Sequence, residues 1–374
     1  MTDVASYSSL TAHRQCPAKW SYAYVDRLAK VERVRVELSY GSWWHAVRAA
    51  DAIERGRASG TLMHVPKSLS TVDDGPRVST KHADLVTEVL AAADTWWASL
   101  PEEDRQPYLD KLHSPVPDNL RRMHAAYLDR WHEEQEQEEV VAVEVRFSRP
   151  LRDGVDLVGQ VDLVYRDTRR GLLVVRDVKG GKSLSRNMAD DLMDSQLHLY
   201  AWGVNPLVKE WTGESIRAVA YDRARTVAPK SPKLTKGGTL SKSVTDFDLS
   251  TYLSFAAGED GAGVPFEGTK KDGTGAGVYT AEQSVIERLS SREARQTWFD
   301  RTLAPLNTNV VRAHLEAARD TVDDTMRTRE RTHPARNFTA ACQWCDFLSI
   351  CRAQVIGGRD VDFEPEDHGL IRRS

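Results

Sequence analysis

Two carboxylates and a lysine give the chain its first chemical reading. Asp177 and Lys179 close the apolar run Leu172-Leu173-Val174-Val175-Arg176-Asp177-Val178-Lys179, and Asp162 closes the shorter run Val158-Gly159-Gln160-Val161-Asp162. Side chains alternate along a strand, so Asp177 and Lys179 share a face while Val178 points to the other. A carboxylate at the end of an apolar run is costly unless it is paired or holds a cation. An antiparallel neighbour can set Asp162 beside Asp177. That grouping suits metal-assisted phosphodiester hydrolysis. Carboxylate oxygens hold magnesium, the metal acidifies its water and neutralises phosphate charge, and the lysine orients that water or stabilises the developing charge. The spacing D-x-K is short, and an Asp–Lys surface pair on an edge strand fits it as well.

The cysteines form the second constellation. The chain has four, Cys16, Cys342, Cys345 and Cys351, and the last three fall within ten residues. Cys342 and Cys345 make a C-x2-C, but no second C-x2-C follows, as a zinc ribbon would offer. Cys16 is the remote thiol that can complete a four-cysteine site. A bound group there would staple the first helix to the far end of the chain, and its binding would contribute to folding.

The elements that must position these residues follow from periodicity. Ser6 to Tyr24, a segment from about Gly41 with Trp43, Trp44 and Val47, Ala83 to Trp97, and Pro117 to Glu139 read as helices, with loop chemistry over Val65 to Val78. The acidic run Glu133 to Glu139 reads as a solvated face. Period-2 segments at 141–147, 155–165 and 172–179, joined by Asp153-Gly154 and by residues 166–171, read as a meander. Glu144, on the face opposite Val143 and Val145, is expected to face solvent, with approach to the metal site as the alternative. A helix over Asn187 to Trp202, a strand over 215–221 and one or two long helices over 281–330 complete the reading. The resulting class is α/β, a central sheet flanked by helices. Four regions are expected: a helical part (1–138), a core (139–223), an insertion rich in Gly, Ser and Lys (224–280) and a helical part with the cysteines (281–374).

Composition limits the partners. The 374 residues carry 51 Lys and Arg against 55 Asp and Glu, a net charge of −4, with 40 % hydrophobic residues. Such a chain can bury a core and is not a polybasic coat or membrane binder. No apolar run approaches the ~20 residues of a membrane span, and no basic-then-apolar start reads as a signal, so a cytoplasmic location is expected. Between Glu214 and Lys242, seven basic residues face two acidic ones, among them Lys230, Lys233 and Lys236, and Lys182 and Arg186 follow the third strand. A local basic surface of this kind could track a phosphate backbone. A solvated loop fits that composition equally well.

Taken together, Gly159-Gln160-Val161-Asp162 and Asp177-Val178-Lys179 resemble the second and third motifs of the PD-(D/E)XK nuclease superfamily, and more narrowly its RecB/AddB-like branch. That branch includes CRISPR-associated RecB-type nucleases and phage exonucleases. Gly41-Ser42-Trp43-Trp44-His45 matches the branch's helix-borne histidine, and Gln196-Leu197-His198-Leu199-Tyr200 matches its Q-x3-Y helix. The resemblance touches residues 6–45, 141–203 and 337–352. It implies a restriction-endonuclease-like core in which Asp162, Asp177, the backbone carbonyl of Val178 and His45 hold Mg2+ or Mn2+. Lys179 would work on the attacking water, and Gln196 and Tyr200 would order the site or touch DNA. Members with Cys16-like and C-x2-C-x5-C thiols hold a [4Fe–4S] cluster, which the resemblance implies for Cys16, Cys342, Cys345 and Cys351. The implied activity is DNA exonuclease, leaning to single strands and 5′→3′ polarity, in recombination, repair or phage DNA processing. No P-loop of the form G-x4-G-K-[ST] is present, so the chain has no motor of its own and either acts alone or partners a helicase or recombinase. A non-catalytic DNA- or partner-binding module and a structure-specific endonuclease are the other readings.

Overall fold

The computed structural model describes residues 3–30, 36–72, 75–181, 184, 193–242, 247–258, 260–266, 277–290, 298–331, 333–357 and 364–373. The elements run β1 (Asp3–Ser6), α1 (Tyr7–Gln15), α2 (Pro17–Trp20), a π-helical turn (Ser21–Val25), β2 (Leu28–Lys30), α3 (Val36–Ser59), β3 (Ser68–Leu69), β4 (Val78–Ser79), α4 (Leu85–Ser99), α5 (Glu102–Leu112) and α6 (Val116–Gln135). They continue as β5 (Glu138–Arg152), β6 (Val155–Asp167), β7 (Leu172–Gly181), α7 (Ser195–Thr212), β8 (Ala218–Arg225), α8 (Leu249–Ala257), β9 (Val264–Phe266), β10 (Gly277–Tyr279) and α9 (Gln283–Ser290). The chain closes with β11 (Phe299–Pro305), α10 (Thr308–Arg329), α11 (Leu348–Ile356) and β12 (Leu370–Arg372).

The expected meander is present. β5, β6 and β7 pair antiparallel, β8 joins β7 in parallel through the α7 crossover, and β11 lies antiparallel on β8. Asp194 caps α7 by accepting from the Leu197 N–H, and left-handed Gly213 ends it. Two apolar layers sandwich the sheet. On one face, Trp43, Trp44 and Val47 of α3 and Leu120 of α6 pack against Val143, Leu163 and Val174. On the other, Leu10 of α1, Leu199 of α7 and Val322 of α10 pack against Val145, Leu157 and Val175. This is a mixed sheet between helical layers, the restriction-endonuclease-like α/β class. No helix among the described residues is long and apolar enough to cross a membrane.

Three local readings are corrected. Residues 299–305 are the edge strand β11 and not part of a long helix, because Phe299 and Ala304 are buried in the sheet's flanking layers. Residues 3–6, ahead of the helical stretch, are strand β1, parallel to β6. Glu138, placed by its neighbours in a solvated acidic face, begins β5 with its side chain only 5 % exposed, gripped by Arg176 and Arg301. A run of like charges hides which member turns inward when a helix gives way to a strand.

The region around residues 224–280 also has internal structure. Phe247, Tyr252, Tyr279, Val285 and Leu289 form their own small apolar cluster, built from α8, β10 and α9.

Candidate active site

The site lies where the sheet forks. Every residue of a strand has two edges, and β5 runs along one edge of β6 from Val155 to Asp167. On the other edge β1 pairs with Val155–Val158 and β7 with Leu163–Asp167. Gly159 to Asp162 lie between these two ladders, where β7 diverges. Asp162 spans the gap with its side chain: Val178 N–H donates to its Oδ2 at 2.7 Å. Gly159 is required here because a Cβ would meet Phe147 at 2.7 Å and Tyr200 at 3.0 Å.

Helix α3 closes the fork from above. His45 Nδ1 lies 3.5 Å from Asp162 Oδ2. Glu144 joins them, which favours the alternative reading over its expected solvent-facing position. Ligand atoms of His45, Glu144 and Asp162 all lie within 4.8 Å of one another. The physical reason is register. The two-residue turn alone would set Arg152 opposite Val155 and carry Glu144 opposite Leu163. An irregularity between Pro150 and Arg152 shifts the pairing by one, giving Val143–Leu163 and Val145–Val161 and placing Glu144 opposite Asp162. Glu144 also adopts φ 53°, a left-handed conformation unusual for a glutamate within a strand. Such strain costs on the order of 1–3 kcal/mol and persists where the surroundings impose it. Gln160 holds the redirected carboxylate by donating to Glu144 Oε2, and Arg146 in turn donates to Gln160 at 3.0 Å.

Asp177 and Lys179 share a face, as alternation requires. Lys179 Nζ lies 2.8 Å from Asp177 Oδ2. Gln196, on the first turn of α7, bridges the pair: it accepts from Lys179 at 3.4 Å and donates to Asp177 at 3.5 Å. Tyr200, one turn on, hydrogen-bonds Gln196 and packs edge-on against Tyr7 and Phe147. The cleft in front measures about 420 Å³ and is lined by His45, Glu144, Asp162 and Lys179 together with Ser42 and Thr71.

Electrostatics mark this as an over-acidic site. Burial and the Asp162 charge push the Glu144 carboxyl up to about 8 and Asp177 up to about 6. Burial also opposes ionisation of Asp162, but the His45 charge, its hydrogen bond and the Val178 N–H outweigh it and hold that carboxyl below its usual value. Burial acts to lower the His45 imidazole, yet Asp162, Glu144 and Asp177 carry it up to about 9. Protons therefore occupy this cluster at neutral pH, as expected of carboxylates gathered to hold a cation.

The other expected site residues divide. Cys16, Cys342, Cys345 and Cys351 line one pocket with Tyr22 and Phe347, and all four are free thiols. No three of their sulfurs lie within 4.8 Å of one another, whereas a tetrahedral zinc with Zn–S about 2.3 Å holds its sulfurs about 3.8 Å apart. The two chain ends are tied there independently of any bound group, since β12 pairs with β2. Lys233 and Lys236 are exposed and Lys230 half-buried; none of the three lines the cleft. Lys182 and Arg186 lie outside the described residues. Arg223 and Arg225 of the basic stretch belong to β8, where Arg223 pairs with Asp300 and Arg225 stacks over Trp298.

Residues 4–352 match the family model of the PD-(D/E)XK nuclease superfamily. No curated protein matches the chain. With nearly its whole length matched and the forked sheet in place, the chain belongs to that superfamily.

Proposed function

We propose that this PD-(D/E)XK chain is a divalent-metal-dependent DNA exonuclease that hydrolyses phosphodiester bonds at DNA ends. The observation that carries the reading is the convergence of His45, Glu144 and Asp162 beside the Asp177–Lys179 pair. Carboxylate oxygens with one imidazole suit Mg2+ or Mn2+. His45, Glu144 and Asp162 would hold the ion, with Asp177 and the Val178 carbonyl next to them. When bound, the metal supplies Lewis acidity and a water of lowered pKa. Lys179 holds a proton-bearing ammonium, kept charged by Asp177 and Asp162, where a nucleophile or a phosphate oxygen would sit. Gln196 fixes that ammonium, and Tyr200 fixes Gln196.

Action at ends, with single strands and 5′→3′ polarity, rests on the likeness of His45 and the Gln196/Tyr200 helix to the RecB-like branch. Recombination, repair or phage DNA processing, beside a helicase or recombinase, is the setting that likeness supports. Digestion of end-labelled linear and circular DNA in Mg2+, with Asp177→Ala in parallel, tests the reading. Degradation of linear DNA alone, abolished in the variant, is the expected result, and label position reports polarity. Cleavage of circles would make the protein an endonuclease. No cleavage in Mg2+ or Mn2+ would leave a DNA- or partner-binding module.

A [4Fe–4S] cluster on Cys16, Cys342, Cys345 and Cys351 is part of the same proposal, supported by four free thiols around one pocket. Anaerobically purified protein should carry iron and sulfide and a broad visible absorption lost in Cys16→Ser. Stoichiometric zinc without iron would sink it. Lys230, Lys233 and Lys236, with Lys182 and Arg186, are proposed DNA contacts. Neutralising the first three should flatten the salt dependence of DNA affinity.

A further inference from the structure

A second set of buried charges stands directly behind the cleft. Arg176 immediately precedes Asp177 on β7 and therefore points to the opposite face. Its guanidinium, 1 % exposed, makes a two-pronged contact with Glu138 of β5 at 3.0 and 2.5 Å and lies 3.9 Å from Asp222 of β8. Arg301 of β11 reaches the same two carboxylates at 2.9 Å each, and Tyr127 of α6 donates to Asp222. On α3, one turn beyond His45, Arg48 lies 3.6 Å over the Tyr127 ring and pairs with Asp51 at 3.1 Å. Arg55 links Asp51 (3.2 Å) to Glu138 (3.7 Å).

Three of the elements so joined also carry the cleft's chemistry: α3 bears His45, β5 bears Glu144, and β7 bears Asp177 and Lys179. The two charge sets share a wall. A small cavity of about 10 Å³ is lined by His45, Glu144 and Asp162 on one side and by Arg48, Arg176 and Asp222 on the other. Buried ion pairs are a poor route to stability, since well-packed apolar residues of equal volume often serve as well or better. Two-pronged guanidinium–carboxylate contacts do something an apolar core cannot: they fix direction and register. Metal ligands need that, because placement within about 0.5 Å decides affinity.

We propose that the Arg48–Tyr127–Asp222–Arg301–Glu138–Arg176 network is the positioning frame of the metal site, setting α3, β5 and β7 so that their ligands converge. The inference rests on the metal-site reading above. None of these side chains touches the substrate; they act through His45, Glu144 and Asp177.

Charge-conserving variants isolate geometry from electrostatics. Glu138→Asp shortens the reach by one methylene, and Arg176→Lys removes the fork; Arg121→Lys, in an exposed pair with Asp94, is the control. Mn2+ binding to DNA-free protein, read by electron paramagnetic resonance at 10 °C, is the primary readout. Both variants should keep a native circular-dichroism spectrum, bind Mn2+ about tenfold more weakly, lose kcat at limiting metal and keep KM for DNA within twofold. The control should match wild type. Folded variants that bind Mn2+ within twofold of wild type would overturn the frame. Failure of both to fold would overturn it too, making the network a folding determinant only. Wild type that binds no Mn2+ would sink the metal-site reading itself, and the frame with it.

Discussion

Glu138 and Glu144 lie six residues apart on β5, the first with its side chain buried and the second half-buried at the cleft wall, and the protein treats them in opposite ways. Burial disfavours ionised Glu138, but Arg176 and Arg301 more than compensate and bring its carboxyl down to about 2. Glu144 is raised by burial and by facing Asp162; His45, the Gln160 hydrogen bond and Arg146 oppose this without overcoming it, and its carboxyl rises to about 8. The more deeply buried group is the one that stays ionised, so the inventory of neighbours decides. Behind the sheet, guanidiniums slightly outnumber carboxylates and the charges close among themselves. In the cleft, three carboxylates meet one lysine and one imidazole, so the balance must come from protons or from a cation. A closed network positions; an open one binds.

Breaking the open side should have the largest effect. Asp162→Ala should cut cleavage at least ~10³-fold and abolish Mn2+ binding while the protein still folds, as checked by calorimetry and circular dichroism. Breaking the closed side should appear in stability as well as in metal affinity. Glu138→Gln leaves Arg176 and Arg301 short of a buried anion and should cost about 3–5 kcal/mol in urea unfolding.

The comparison sharpens with pH. Glu138 is depressed when folded, so its stabilisation is present above its unfolded pKa near 4.5 and is lost as pH falls towards 2. Glu144 is raised, so the folded protein holds a proton the unfolded chain has released, and metal-free stability should fall between pH 4.5 and 8. His45 slopes the same way, from 6.5 to about 9. Melting of metal-free protein should therefore decline from pH 5 towards 9. Mn2+ should restore it most at the alkaline end, where protons no longer compete. Glu144→Gln should flatten the decline and weaken Mn2+ binding. The smallest effect is expected at the surface: Arg121→Ala, losing the exposed pairs with Asp94 and Asp118, should shift stability by no more than about 1 kcal/mol.

Much of this was legible from residues alone. The runs ending in Asp162 and Asp177 declared strands, the alternation of Asp177 and Lys179 placed them on one face, and the four-residue step from Gln196 to Tyr200 put both on one side of α7. Those readings hold because strand and helix periods are local properties of the backbone, independent of what the element packs against. Glu138 and the Arg176 network were not legible, and Glu144 at the site was legible only as the less favoured of two readings. Whether a glutamate in a charged stretch faces water or a buried partner depends on pairing register, and a single irregularity near Pro150 exchanged Leu163 for Asp162 as the residue opposite Glu144. Arg301 meets Glu138 across more than 160 residues of chain. Sequence thus determined which side chains each element offers and to which side; only the tertiary structure decided which charges share a low-dielectric interior, because that depends on register and on contacts between elements far apart along the chain.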